Sequence, residues 1–341
     1  MTSTSSVTKD LKLRERILLA VLYAVVVAVS LLPFRVLYII SDLLYLIVCH
    51  AVGYRRKVIR KNLRRSFPEK SEAELRCIEH AFYHYFCDYI VETVKLASIS
   101  RREMRRRMVF RGMEHISRAV AEGRGVALYI GHYGNWEWIT SIGLHLPEGS
   151  RGCQVYHVLE SRVMDRLMLR LRSKMDTDSV PMAETLRRLL KMRQQGVCPV
   201  VGFISDQSPI IYNVPYWTTF LNQETPFING SERIARKFDY IAVYLDVRVV
   251  RRGHYEVTLL PIADHCAALP ENAVTQRYAE LLENNIRRQP AYWLWSHNRW
   301  KRSHADFKNE ERRMMRKEAR LSGFCNIVKV TSQNSQSDGP K

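Results

Sequence analysis

His132 and Glu137 place an imidazole and a carboxylate five residues apart on a segment whose backbone is free to turn. They lie in Tyr129-Ile130-Gly131-His132-Tyr133-Gly134-Asn135-Trp136-Glu137-Trp138, directly after Gly125-Val126-Ala127-Leu128. That apolar run, bounded by glycine, reads as a buried parallel strand. Gly131 and Gly134 bracket the histidine and permit a tight turn off the strand, and Asn135 reads as the N-cap of a helix opening at Trp136. Histidine and glutamate can then face each other at the carboxyl edge of a sheet, where open α/β folds build their sites. The chemistry this suits is removal of a proton from a hydroxyl. The imidazole takes the proton, and the carboxylate fixes its tautomer and steadies the imidazolium. A buried histidine paired with a helix-start glutamate for structural reasons alone fits the same spacing, so residues elsewhere must decide.

A second polar pair, Asp206-Gln207, closes another long apolar run, Val197-Cys-Pro-Val-Val-Gly-Phe-Ile204. Two polar ends on adjacent strands can converge on one pocket, although Asp206 could equally be an ordinary turn residue. Gly230-Ser231-Glu232-Arg233 opens a basic helix whose N-terminus offers free N–H groups to an anion. Trp293-Leu294-Trp295-Ser296-His297-Asn298-Arg299-Trp300-Lys301 mixes aromatic and basic residues, which suits a headgroup interface or plain core packing.

The elements that would position these groups alternate. A helix at 113–122 precedes the His132 strand; a strand at 152–157, an arginine-rich helix at 161–173 and a helix at 183–194 follow. The strands at 241–250 and 255–260, joined through Arg252-Gly253, complete the sheet. Such alternation predicts an α/β domain with a mainly parallel sheet. Ser71 and Glu74 form a capping box that opens a helix to about residue 98.

The N-terminal part is of another kind. Ile17–Leu32 carries no charge over sixteen residues, and after Pro33 a second apolar stretch, Val36–Val52, holds only Asp42. Each is short of the roughly 20 residues that span a bilayer. Basic clusters on both sides favour the same compartment, so the pair reads as a hairpin or a tilted, half-inserted anchor. A cleaved signal peptide ending at Ala28-Val29-Ser30 is the rival reading, against which the apolar sequence runs on too far. The arginines and lysines from Arg55 to Arg65 could form a nucleic-acid face, but directly after a membrane segment they read more simply as a headgroup-binding collar. Overall, 53 Lys+Arg against 34 Asp+Glu give a charge of +19 and a surface that seeks anionic partners. Seven scattered cysteines without a C-x-x-C pair indicate neither a disulfide framework nor a zinc site. These boundaries divide the chain into a polar lead at 1–16, an anchor of one span or a hairpin at 17–52 and a basic helical region at 53–110. A catalytic α/β domain follows at 111–322, and a disordered tail at 323–341.

Gly131-His132-Tyr133-Gly134-Asn135-Trp136-Glu137 resembles the His-x4-Asp/Glu signature of the lipid A late acyltransferases, within the wider lysophospholipid acyltransferase superfamily. The resemblance extends over almost the whole chain, through Asn62-Leu63-Arg64-Arg65-Ser66-Phe67-Pro68-Glu69, Val155-Tyr156, Arg172, Asp206-Gln207 and Trp295-Ser296-His297-Asn298-Arg299. The family often has Phe-x-Gly where Phe220-Leu221-Asn222 stands here, and a basic residue where His157 stands. The resemblance implies a glycerol-3-phosphate-acyltransferase-like α/β fold, with a mainly parallel central sheet flanked by helices and an N-terminal membrane-anchor helix. It further implies transfer of a fatty acyl group from acyl carrier protein or acyl-CoA to a hydroxyl of a phosphorylated glycolipid, a lipid A precursor or a relative. That chemistry needs no cofactor, metal or nucleic acid, and its place is the cytoplasmic side of the inner membrane. His132 would be the base and Glu137 its partner, with Arg172, Asp206 and the amides of Gly134-Asn135 as further groups. Trp136, Gln207, Glu232 and Arg233 would contact substrate. The reading that competes from another class is a membrane-tethered basic protein that binds anionic lipid or nucleic acid without catalysis. A metal-dependent hydrolase built on His132 and Asp206 lacks clustered ligands.

Overall fold

A computed structural model describes residues 11–209, 215–310 and 312–313. The polar stretch 1–10 and the tail from 323, the latter expected to be disordered, lie outside the described residues. In chain order the helices and strands begin with α1 (Leu13–Ser30), α2 (Phe34–Tyr45), α3 (Arg56–Ser66), α4 (Glu72–Lys95) and α5 (Arg101–Arg107). Then come β1 (Met108–Arg111), α6 (Glu114–Ala121), β2 (Val126–Ile130), β3 (Ser150–Tyr156), α7 (Arg162–Arg172), β4 (Thr177–Pro181) and α8 (Thr185–Gln194). The chain closes with β5 (Cys198–Ile204), β6 (Tyr216–Phe220), β7 (Gln223–Phe227), α9 (Gly230–Phe238), β8 (Ile241–Arg251), β9 (His254–Ala263) and α10 (Ala273–Arg288).

Seven strands form one sheet in the order β1-β9-β8-β2-β5-β3-β4, parallel throughout except where β8 and β9 pair as a hairpin. β2 and β5 sit inside it with every β2 residue buried, as expected of strands covered on both faces by helices. Their register pairs Ile130 with Ile204, so residues two places beyond each strand end, His132 and Asp206, emerge side by side. β6 and β7 form a separate antiparallel hairpin. Its turn, Leu221-Asn222, has φ of 50° and 60°, the left-handed pair of a type I′ connection. Leu221 tolerates that conformation while fully buried, its amide bonded to Glu283 at 2.8 Å.

The sheet and the α3–α5 region share one continuous core, from Cys49 to Trp295. The helix Phe34–Val52, formed by α2 and a π-helical turn at Leu46–Val52, is 19 residues and apolar enough to cross a membrane. One side of it nevertheless faces protein. Four successive turns of α4 present His80, His84, Asp88 and Glu92, and the helix meets each with a polar or aromatic group. Tyr38 donates to Glu92 at 2.9 Å and Ser41 to Asp88 at 2.6 Å, Tyr45 stacks on His84, and the Tyr45 hydroxyl lies 2.9 Å from His80 Nδ1. Arg252, at the β8–β9 turn, ties Asp42 and Asp88 together at 2.6 Å each. The opposite side exposes Val36, Ile39, Leu43, Leu46 and Ile47, alongside Ile17, Val21 and Val25 of α1.

Asp88 therefore holds the apolar helix to the domain through both Ser41 and Arg252. Asp88→Ala leaves Ser41 without its acceptor and Arg252 with Asp42 alone, and is expected to cost about 2 kcal/mol, read by equilibrium denaturation in detergent. A loss below about 1 kcal/mol would place the pair among the weak surface contacts.

Candidate active site

The β2 turn is held from three directions. Gly134 takes φ +57°, and a Cβ there would lie 2.8 Å from Val247 Cγ1, so both the conformation and the space require glycine. Segment 292–294 runs against it as a short antiparallel bridge. The Gly134 amide donates to Tyr292 O at 2.9 Å and Leu294 N donates to His132 O at 3.2 Å. Tyr85 of α4 donates to Gly134 O at 2.7 Å. The helix expected from Trp136 is a 3-10 helix, Trp138–His145, and Asn135 caps it by accepting from Trp138 N at 3.0 Å.

On this frame the carboxylate that meets the imidazole belongs to Asp206. His132 Nδ1 is 2.6 Å from Asp206 Oδ1, and the His132 amide donates to Oδ2 at 2.9 Å. Trp293 Nε1 donates to the same oxygen at 2.8 Å. Burial alone would raise the Asp206 carboxyl. The adjacent imidazole and these three hydrogen bonds outweigh it and hold the group down at about 2. An ionised Asp206 fixes the proton of His132 on Nδ1 and leaves the Nε2 lone pair outward. That lone pair meets the Gln207 amide at 3.2 Å, and the Trp136 ring stands edge-on at 5.3 Å.

Glu137 takes another partner. Arg172 grips it through two parallel hydrogen bonds of 2.6 and 2.7 Å, with Glu137 buried and Arg172 largely so. The pair expected between His132 and Glu137 thus resolves into His132–Asp206 and Arg172–Glu137. All but Asp206 line one cavity of about 520 Å³. From that polar rim it runs into an apolar interior of Leu128 and Ile130 (β2), Val155 (β3), Val200 and Phe203 (β5), and Ile139 and Ile142 of the 3-10 helix. Cys153 lies along it, and burial pushes its thiol up to about 12, which leaves it no nucleophile at neutral pH.

The remaining expected residues divide. Trp136 and Gln207 line the cavity. Gly134 and Asn135 stand behind it as framework, with the Gly134 amide already engaged. Gly230 and Ser231 at the start of α9 reach the cavity, whereas Glu232 turns inward to Thr275, accepting from its amide at 2.8 Å. Arg233 borders a separate groove with Arg236 and Lys237. His297 accepts from Ser208 N at 3.1 Å and so braces the Gln207 segment. Burial lowers its imidazole to about 4, which keeps it neutral.

Sequence reasoning missed Trp293 as a ligand of Asp206, and it missed Glu92. The Glu92 side chain accepts from Tyr38, from Tyr255 at 2.7 Å and from Asn135 at 2.7 Å, and its backbone carbonyl accepts from Trp138 Nε1. One buried carboxylate therefore joins the apolar helix, β9 and the turn that carries His132. The signal lay in the four-residue spacing His80-His84-Asp88-Glu92 inside an aromatic helix, a polar stripe that a core helix does not need.

The His132–Asp206 pair thus stands at the end of a deep apolar cavity in an α/β fold. The chain belongs to the bacterial lipid A biosynthesis acyltransferase family, whose model matches residues 7–302, and it is accordingly an acyltransferase of lipid A biosynthesis. No curated protein matches it.

Burial raises the Glu92 carboxyl from 4.5 to about 7 against the hydrogen bonds from Tyr255, Asn135 and Tyr38, which oppose the rise. A carboxyl raised on folding takes up protons with the native state, so stability falls as pH climbs from about 4.5 to 7. Glu92→Gln removes this term. Relative to wild type the variant should gain of order 3 kcal/mol across that window, measured by denaturation at several pH values. A difference that stays constant with pH would exclude it.

Proposed function

We propose that the protein transfers a fatty acyl group from an acyl thioester to a hydroxyl of a lipid A precursor, with His132 as general base. The observation that carries this reading is the apolar cavity of about 520 Å³ opening onto the outward nitrogen of His132. An acyl chain lying in the cavity brings its thioester carbon to the rim. A hydroxyl hydrogen-bonded to Nε2, in the place the Gln207 amide holds here, loses its proton to the imidazole as its oxygen attacks that carbon. The tetrahedral intermediate collapses with departure of the thiolate, which the imidazolium reprotonates. Asp206 orients the ring and stabilises its charge.

The Gln207 amide and the Arg172 guanidinium are donors at the rim that suit the developing oxyanion. Glu137 serves by holding Arg172 rather than by touching the imidazole. The exposed apolar side of α1 and α2 supports a site held at a membrane surface, where a glycolipid acceptor would reside, on the cytoplasmic side of the inner membrane. The charge of +19 matches both a phosphorylated acceptor and an acidic acyl carrier protein, the donor we favour over acyl-CoA.

Washed membranes carrying wild type or His132→Ala are offered acyl carrier protein and coenzyme A thioesters with a lipid A precursor, and the products are read by mass spectrometry. His132→Ala and Asp206→Asn are each expected to slow transfer by about 10²–10⁴-fold while the protein stays folded and membrane-bound. Wild-type turnover by a folded His132→Ala enzyme would remove the imidazole from the mechanism. Activity with the coenzyme A thioester alone would overturn the choice of donor.

A further inference from the structure

The contacts between the apolar helix and α4 end differently from how they begin. At Glu92 and Asp88 the partners satisfy one another, as described above. At the other end Cys49, His50 and His80 converge, each offering a ligand atom within 4.8 Å of the other two. Cys49 Sγ is 3.7 Å from His80 Nδ1, and the His50 ring lies 5.8 Å from that of His80. We propose that these three residues form a metal site for a borderline-soft divalent cation of the zinc type, separate from the acyl-transfer site.

Backbone geometry supports the assignment independently of the side chains. Cys49 and His50 are adjacent, and an α-helix turns neighbouring side chains about 100° apart. Here the helix changes to a π turn over Leu46–Val52. The wider winding brings the two directions closer, and such turns concentrate at functional positions. Gly53 then ends the turn in the left-handed conformation with φ +61°.

The donor set selects the ion. One thiolate and two imidazoles suit zinc, whereas calcium and magnesium need oxygen ligands that this set does not supply. A tetrahedral zinc with bonds of about 2.0–2.3 Å puts its ligand atoms roughly 3.3–3.8 Å apart, so the cluster must contract by about 1 Å on binding. Cys49 gives up its thiol proton to solvent as the bond to the metal forms. The Tyr45 hydroxyl, 2.9 Å from His80 Nδ1, releases that nitrogen and is placed, as a water would be, to fill the fourth position. None of the three ligands lines the catalytic cavity. The metal would clamp the end of the apolar helix to α4, adding a cross-link where the polar seam is weakest.

Full-length protein in detergent, stripped with a chelator, is titrated with cobalt(II) as a spectroscopic substitute. The expected result is one equivalent bound with a near-ultraviolet thiolate-to-cobalt band, displaced by zinc. Cys49→Ser should abolish the band, and His80→Gln should weaken binding by at least about 100-fold, the upper cost of losing even an outer-shell partner. Cys77→Ser should leave it intact. A band that survives Cys49→Ser, or no band in folded wild type, overturns the site. Should a ligand variant fail to fold, X-ray absorption of the zinc-loaded wild type decides. One sulfur and two imidazole nitrogens, with an oxygen in the fourth position, support the assignment, and a shell lacking the sulfur or either imidazole refutes it.

Discussion

Asp206 is almost completely buried, and an ionised carboxylate in that position is tolerable only with each oxygen engaged. Three donors engage it: the ring and amide of His132 and the indole of Trp293. Each comes with a structural condition. The two from His132 require β2 and β5 to pair in the one register that sets Ile130 beside Ile204. The indole requires segment 292–294 to fold back on the β2 turn, where it also takes up the backbone groups of His132 and Gly134. Asn62 of α3 holds the continuation of that segment by donating to Trp295 O and His297 O, both at 2.9 Å. Sequence blocks more than two hundred residues apart are thus fastened around one charge.

A second buried carboxylate governs how the domain meets its N-terminal helices. Glu92 accepts from Tyr38 on one side and from Asn135 on the other, so the apolar helix and the β2 turn share a ligand. With Asp88 and Arg252 alongside, the polar side of Phe34–Val52 is satisfied by protein. The other side presents Val36, Ile39 and Leu43 outward. A helix crossing a bilayer alone would expose Tyr38, Ser41 and Asp42 to hydrocarbon, at a cost of several kcal/mol for the aspartate. The seam therefore favours a helix lying along the domain with its apolar side outward.

Much of this was readable in the residues. The strands ending at Ile130 and Ile204, the glycine-bracketed histidine and the Asp206-Gln207 pair all lie where hydrophobic runs and their bounding residues put them. Burial on both faces makes central strands nearly uniform in sequence and so easy to locate. β4 was missed for the opposite reason. Thr177-Asp-Ser-Val-Pro181 is an edge strand with polar residues along it, and its pairing with β3 comes from the fold rather than from its own pattern. The β6–β7 hairpin was hidden because its turn is Leu221-Asn222 in place of the glycine-bearing pair that usually announces one. Glu92 and the Cys49–His50–His80 cluster depend on helix-to-helix register, which spacing along a single helix does not supply.

The distinction between Glu137 and Asp206 shows where spacing stops being informative. Five residues separate His132 from Glu137, and a continuous helix from Asn135 would let them face each other. The chain instead turns left-handed at Gly134 and enters a 3-10 helix only at Trp138. That path carries Glu137 to the α7 side, where Arg172 is waiting with two matched donors. A bidentate guanidinium satisfies a buried carboxylate more completely than one imidazole N–H can. Once Arg172 is present, the stable division of partners gives the aspartate to the histidine and the glutamate to the arginine. The imidazole then has a single strong acceptor behind it and its other nitrogen turned toward the cavity beside the Gln207 amide, the arrangement on which the proposed proton transfer from a hydroxyl rests.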